Sequence, residues 1–355
     1  MQPAVERPSK VFIRIPNWVG DVVMATGVLH EVRRQLPDAH LVVGAREHLF
    51  PLVESEPFFD ELMATPKAGG IRGLFREADR LKEHAFDLAL ILPNSLETGI
   101  VPWLAGIPKR IGYRQGRSMF MTAGPRAKKG RSWWSRRGPR RVPVPMPRYY
   151  GELLPYLGFD PVEPMPKLSV IDQDRDWISV WLEDRKIHDR PLVLFTCGAA
   201  YGASKLWPAE KFAEMCGRVT ARGEGAILLA GPAEVERARG IAEMSPGAVP
   251  AIEPTLTFGQ LKALIERASA MVTTDTGPRH LGVASGLPIV CVMGPTDPRY
   301  TDYGLDQQII LRRTELECMP CQRKVCPLGH HDCMQRIEVD HVDEALTEIR
   351  QKVGR

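Results

Sequence analysis

Short runs of apolar residues alternate along the chain with longer segments whose apolar positions recur every three or four residues. In the first half KVFIRI (10–15), HLVVGA (40–45) and FDLALIL (86–92) read as buried strands. DVVMATGVLHEVRRQL (21–36) reads as an amphipathic helix, and a second, more charged helix spans 71–84. The second half repeats the grammar with strand runs LVLFT (192–196), GAILLAG (225–231), AMVTT (270–274) and PIVCVMG (288–294). Helical patterns at 208–222, 233–244, 258–267 and 278–285 fall between them, and a last one covers 340–353. Strands that alternate with helices predict parallel, doubly wound α/β sheets. A hinge near 161–171 divides the chain into domains 1–165 and 166–355, with the last helix able to pack back on the N-terminal domain. Two Rossmann-like domains facing each other would leave a cleft at the C-terminal edges of both sheets, where such folds bind ligands.

Composition narrows the class. With 355 residues, 44% hydrophobic and 25% charged, the chain has material for two cores and is neither disordered nor collagen-like. No stretch approaches the roughly 18 uncharged apolar residues of a membrane span, and the first ten residues have no apolar leader, so a cytoplasmic chain is expected. Thirteen of the 47 basic residues fall between positions 109 and 151 with no acid among them. The remainder carries 34 basic against 43 acidic residues. Such a distribution implies one local anionic partner, not a general affinity for polyanions.

Four segments carry candidate chemistry, each after a strand. In the turn NWVGD (17–21) Gly20 permits a tight bend and Asp21 lands at a helix start. Asp21 reads either as an N-cap or, on the cleft rim, as a general base. The loop TCGAAYGASKLWP (196–208) is rich in small residues around a single Lys205, with Thr196 and Ser204 as hydroxyls. Small residues let backbone N–H groups approach an anion, so the loop suits a diphosphate, although ordinary strand–helix loops look similar. In TTDTGPRHL (273–281) Asp275, Thr276, Gly277 and His280 gather at a helix N-terminus. That arrangement suits phosphate oxygens, with Asp275 turned to a sugar or to the backbone. MGPTDP (293–298) stiffens a turn that lines or closes the same edge. No G-x-G-x-x-G or G-x-x-x-x-G-K-[ST] occurs at these turns, so no cofactor is expected.

Five collinear stretches, NWVGDVVMATGVLHEVR, SKLWPAEKFAEM, AGPAEVERAR, TTDTGPRHLGVASGLPIVCVMGPTDP and CMPCQRKVCPLGHHDCM, resemble the ADP-heptose:lipopolysaccharide heptosyltransferases of glycosyltransferase family 9, most closely the heptosyltransferase II branch. The resemblance implies a GT-B fold, with the acceptor on the N-terminal domain and ADP-heptose mainly on the C-terminal one. It implies an inverting, metal-independent transfer of L-glycero-D-manno-heptose onto the lipopolysaccharide inner core. By the same resemblance Asp21 is the catalytic base, Lys205 the diphosphate lysine and Glu234 the acid that holds the ribose hydroxyls. Asp275, Thr276, Gly277 and His280 form the sugar-nucleotide loop.

On the acceptor side stand Asn17, Trp18 and Gly20, with Arg126, Lys128 and Arg136 of the basic tract. Trp133 and Trp134 within that tract suit an anionic membrane surface at the inner face of the inner membrane, by charge and by indole anchoring. A solvated loop is the alternative reading, and nucleic acid is not expected as a partner of an otherwise acidic chain. The tail spacing C-x2-C-x4-C-x6-C (Cys318, Cys321, Cys326, Cys333) with two enclosed histidines fits a structural cluster of thiols or a closed zinc site. The remaining cysteines, Cys197, Cys216 and Cys291, sit in apolar contexts as core thiols.

Overall fold

The run KVFIR forms β1 (Lys10–Arg14) at the centre of a first sheet, in a computed structural model that describes residues 7–67, 69–128, 130 and 142–354. Around it lie β2 (His40–Ala45), β3 (Glu61–Ala64), β4 (Leu88–Ile91) and β5 (Lys109–Gly112). Among the described residues these make a parallel sheet in the order β3-β2-β1-β4-β5. A second parallel sheet has the order β11-β10-β9-β6-β7-β8. Its strands are β6 (Leu192–Thr196), β7 (Gly225–Leu229), β8 (Val249–Ala251), β9 (Ala270–Thr274), β10 (Ile289–Val292) and β11 (Gln308–Leu311). The central strands are buried on both faces, which is why they read as continuous apolar runs. Each sheet belongs to its own compact unit, and the division falls between Pro166 and Lys167.

In each unit the strand order reverses beside the first strand, at β1/β4 and at β6/β9. The loops leaving neighbouring strands at such a point run to opposite faces and open a crevice at the C-terminal ends. Phe12, Val42, Ala89, Ile91 and Leu81 pack the core of the first unit. Phe195, Trp207, Phe212, Val272 and Val292 pack that of the second, each large side chain contributing about 1.5 to 3 kcal/mol when fully removed from water. The closing helix (Val339–Val353) joins this second core through Val342, Ala345, Leu346 and Ile349. It lies on β9–β11 and the helix Ala209–Ala221 of the second unit.

Candidate functional site

The β1/β4 crevice of the first unit is a pocket of about 530 Å³ lined by Asn17, Trp18, Arg46, His48, Lys67, Ser95, Glu97 and Thr98. The loop after β1 supplies Asn17 and Trp18, and the start of the helix Leu96–Leu104 supplies the serine, glutamate and threonine. Beneath it Arg14, only 4% exposed, donates to Asn17 Oδ1 at 2.6 Å and to Gly44 O at 3.2 Å, which fixes the turn. Burial, and then repulsion from Arg46, lower the Arg14 pKa to about 10. Three basic residues thus line the pocket, with a fourth directly below. Trp18 is 58% exposed at its edge, a flat apolar surface of the kind sugars pack on.

Asn17 and Trp18 line this pocket, while Gly20 and Asp21 differ from the turn read in the sequence. The helix begins at Val19, and Trp18 is its N-cap residue without a capping bond from its side chain. Gly20 is therefore inside the first helical turn and makes no bend. Asp21 is the third helical residue, so it is not the N-cap residue. Its carboxylate still faces the positive end of the helix. The short helix Met146–Gly151 packs against this one and brings up Tyr150, which sequence reasoning missed. Burial, and then the charge of Asp21, push the Tyr150 hydroxyl well above its ordinary range. Arg126 and Lys128 are exposed and are not among the pocket-lining residues, while Arg136, Trp133 and Trp134 lie outside the described residues.

In the second unit the β6/β9 crevice is built around one buried carboxylate. Lys205 Nζ donates to Asp275 Oδ2 at 2.8 Å and to Asp275 O at 2.6 Å. Arg279 Nη1 reaches Asp275 Oδ1 at 2.9 Å, and Thr296 Oγ1 reaches Oδ2 at 2.7 Å. Burial would raise the Asp275 pKa, yet Lys205, Arg279 and His280 together hold it well below the usual carboxylate range. Arg279 is 0% exposed and also bonds Gln308 and Thr301, so it is an anchor for Asp275 with no free face toward solvent. Two cations against one carboxylate leave a positive balance beside the N-terminus of the helix Gly277–Ala284, with Thr276 as its N-cap.

His280 donates to or accepts from Tyr303 OH at 2.6 Å, and burial, followed by Arg279, pushes its pKa down to about 3. It is a neutral imidazole at physiological pH and adds no charge. Thr196 is buried at the end of β6 with its hydroxyl on Thr273. Glu234, in the turn after β7, accepts from Gly231 N at 3.0 Å and lies against Gly198, where any side chain would collide with its carboxylate. Arg237 donates to Cys197 O at 2.7 Å and to Trp207 O at 2.6 Å, tying together both ends of the lysine loop. Loops after four neighbouring strands, β6, β7, β9 and β10, therefore converge on one place. MGPTDP joins them through Thr296.

The tail crosses this region. Cys318, Cys321 and Cys326 are partly exposed and Cys333 is buried, all as free thiols. Burial pushes the Cys333 thiol up to about 11. Among the described residues no group of three or more histidine, cysteine or acidic side chains is placed to hold a metal ion.

Residues 74–331 match the profile of glycosyltransferase family 9 (heptosyltransferase). The lipooligosaccharide heptosyltransferase 2 of Haemophilus influenzae is 25% identical, over 95% of this chain and 98% of that protein. Among solved structures, E. coli ADP-heptose lps heptosyltransferase II superposes with a TM-score of 0.78 at 22% identity, covering 98% of this chain and all of that one. A glycosyltransferase family 9 protein from Veillonella parvula superposes with a TM-score of 0.83 at 22% identity, covering 97% and 98%. The two parallel-sheet units thus have the GT-B fold.

Proposed function

The chain belongs to glycosyltransferase family 9, and we propose that it transfers L-glycero-D-manno-heptose from ADP-heptose to heptose I of the lipopolysaccharide inner core, with inversion at the anomeric carbon. The observation that carries this reading is the cluster at the β6/β9 crevice. Lys205 gives two of its three ammonium protons to Asp275, beside a helix N-terminus, and the third is the one proposed to meet a ligand. That combination matches a departing diphosphate, whose charge grows as the glycosidic C–O bond breaks. Glu234, in the turn beside Gly198, is the group proposed to accept hydrogen bonds from the ribose hydroxyls.

The first unit supplies the other half of the reaction. Asp21 takes the proton from the acceptor hydroxyl as that oxygen attacks the anomeric carbon. Arg46, His48 and Lys67 suit the anionic groups of an inner-core oligosaccharide, and Trp18 suits a sugar face. The enzyme is proposed to work at the inner face of the inner membrane, where the tract 126–148 meets an anionic surface. Turnover of ADP-heptose with heptose-I-bearing lipopolysaccharide, compared with Kdo2-lipid A, tests the reading. Transfer only to the first acceptor supports it. Transfer to neither, with ADP-heptose intact, would overturn it.

A further inference from the structure

Ser204 directly precedes the donor lysine, yet its side chain does not face the crevice. The residue is 2% exposed, and its amide N, hydroxyl and carbonyl are all bonded to the cysteine-rich tail. Ser204 N donates to Lys324 O at 3.0 Å, and its hydroxyl donates to Arg323 O. Its carbonyl accepts from His331 Nε2 at 2.7 Å, so that ring nitrogen carries the proton. Two residues back, a Cβ at Gly202 would stand 2.5 Å from Lys324 O, so the two backbones lie in contact. Tyr201 OH donates to Gln322 O at 2.8 Å, and the Tyr201 ring lies under both Lys205 Nζ, at 5.0 Å, and Lys324 Nζ, at 6.0 Å. Every one of these bonds lands on residues 322–324 or on His331, the stretches that Cys321, Cys326 and Cys333 flank. In turn Gln322 N donates to Pro295 O at 2.9 Å, next to the threonine that holds Asp275.

We infer that the cysteine-rich segment 318–333 is a latch that sets the position of Lys205, with Ser204 and His331 as positioning residues for the donor diphosphate. The inference rests on the donor reading of Lys205, and it assigns Ser204 to the loop's support, not to contact with the nucleotide. A short loop of small residues has little of its own to hold its shape, because glycine and alanine contribute no side-chain packing and glycine adds backbone freedom. Arg237 ties its two ends. The tail holds its middle, three polar atoms on one residue, immediately before the lysine whose ammonium must meet the phosphate.

The test uses His331→Asn, Ser204→Ala and His331→Gln in the full chain. His331 has φ +54, a conformation that asparagine adopts readily, so His331→Asn keeps the turn but is too short to reach Ser204 O. Gln restores the reach. Titration calorimetry with ADP should show Kd rising about three- to tenfold in His331→Asn and in Ser204→Ala, the fold-change of one lost hydrogen bond, with binding stoichiometry unchanged. His331→Gln should recover most of it. At saturating donor, kcat should fall by no more than the same factor, because Lys205 also meets the charge growing on the departing diphosphate, and the acceptor KM should not move; simple loss of folded protein would leave the ADP Kd unchanged. Amide hydrogen exchange over residues 199–206 reads the latch without any ligand and should quicken in both loss variants. Unchanged exchange together with unchanged ADP affinity would overturn the inference. If the wild type binds no ADP, the donor reading fails separately, and exchange alone decides whether the latch exists.

Discussion

An aspartate in the first turn of a helix can steady the helix or accept a proton, and the proposed role of Asp21 as the base separates the two. Trp18 holds the cap position, so replacing Asp21 by Asn leaves the cap in place and removes the charge–dipole attraction, about 0.3 to 1 kcal/mol, together with the charge beside Tyr150. An amide takes up no proton, whereas a general base typically contributes 10²- to 10⁴-fold. Asp21→Asn should therefore fold and bind ADP-heptose as wild type does while losing at least about two orders of magnitude in transfer rate. Near-native turnover would leave the mechanism without its base. Lys205 is a harder residue to remove cleanly, because its loss also takes a partner from buried Asp275. The retained pair with Arg279 keeps that carboxylate compensated, so Lys205→Ala should still fold. Its affinity for ADP should fall about 10- to 100-fold, as expected for a charge-assisted contact of about 1.5 to 3 kcal/mol. Unchanged calorimetric affinity would place Lys205 outside the donor site.

At the scale of elements, the N-terminal end of the helix Gly277–Ala284 gathers two groups, His280 within it and Asp275 just before it, whose depressed pKa values both cost stability as the pH falls, but in different windows. His280 has a pKa near 3, below its ordinary value, so the folded chain refuses a proton that the unfolded chain accepts below about pH 6.5. Stability from this site is complete above that pH and declines as the pH falls toward 3. Asp275 is depressed as an acid, so its contribution is present above the ordinary carboxylate range and is lost only below it. Between pH 7 and 4.5 only the histidine of the pair responds. Urea unfolding at both values should show a loss for wild type that is smaller, by up to about 2 kcal/mol, in His280→Gln. An equal loss in both would mean that the imidazole is protonated in the fold. The elements themselves were largely legible, because central parallel strands are buried on both faces and announce themselves as apolar runs. Edge strands were not. ELMA, KRIG, VPA and QIIL are short and partly exposed, and carry no such run. The helix Leu96–Leu104 hid behind its internal Pro102, which normally reads as a break. The candidate site residues on strand-to-helix loops stood out by their types. Arg14, Arg237 and Arg279 were not, since their roles depend on carbonyls and carboxylates distant in sequence. The cysteines of the tail stand between these cases, visible as a pattern but silent about their task. Replacing all four with Ser should lower the melting temperature yet spare the rate per folded molecule, and loss of turnover in a fully folded variant would contradict a purely structural role.

For the molecule as a whole, charge is the property that no single element contains. Outside positions 109–151 acids outnumber bases 43 to 34, so a uniformly anionic surface would repel the body of the chain. No described helix is long and apolar enough to cross a membrane. The basic tract is the segment whose charge suits such a surface. Val142 N donates to Lys128 O at 3.0 Å, which joins the two described flanks of the tract, with Arg126 and Lys128 exposed on one of them. The bulk of the tract, with Arg136 and the tryptophan pair, lies outside the described residues, and its sequence supplies the charge. Each Lys or Arg near an anionic surface contributes about 1 kcal/mol, reduced as the screening length falls from about 10 Å at 0.1 M salt to about 3 Å at 1 M. Binding to vesicles containing anionic lipid should thus weaken steeply with salt in the wild type. A variant with Gln at the basic positions of 126–148 should bind weakly at every salt concentration. Transfer to a soluble, truncated acceptor should be about equal in the two proteins, because pocket residues Arg46, His48 and Lys67 are left intact. Equal vesicle binding by both proteins would show that the tract is a solvated surface loop and that the acidic body reaches its acceptor by another route.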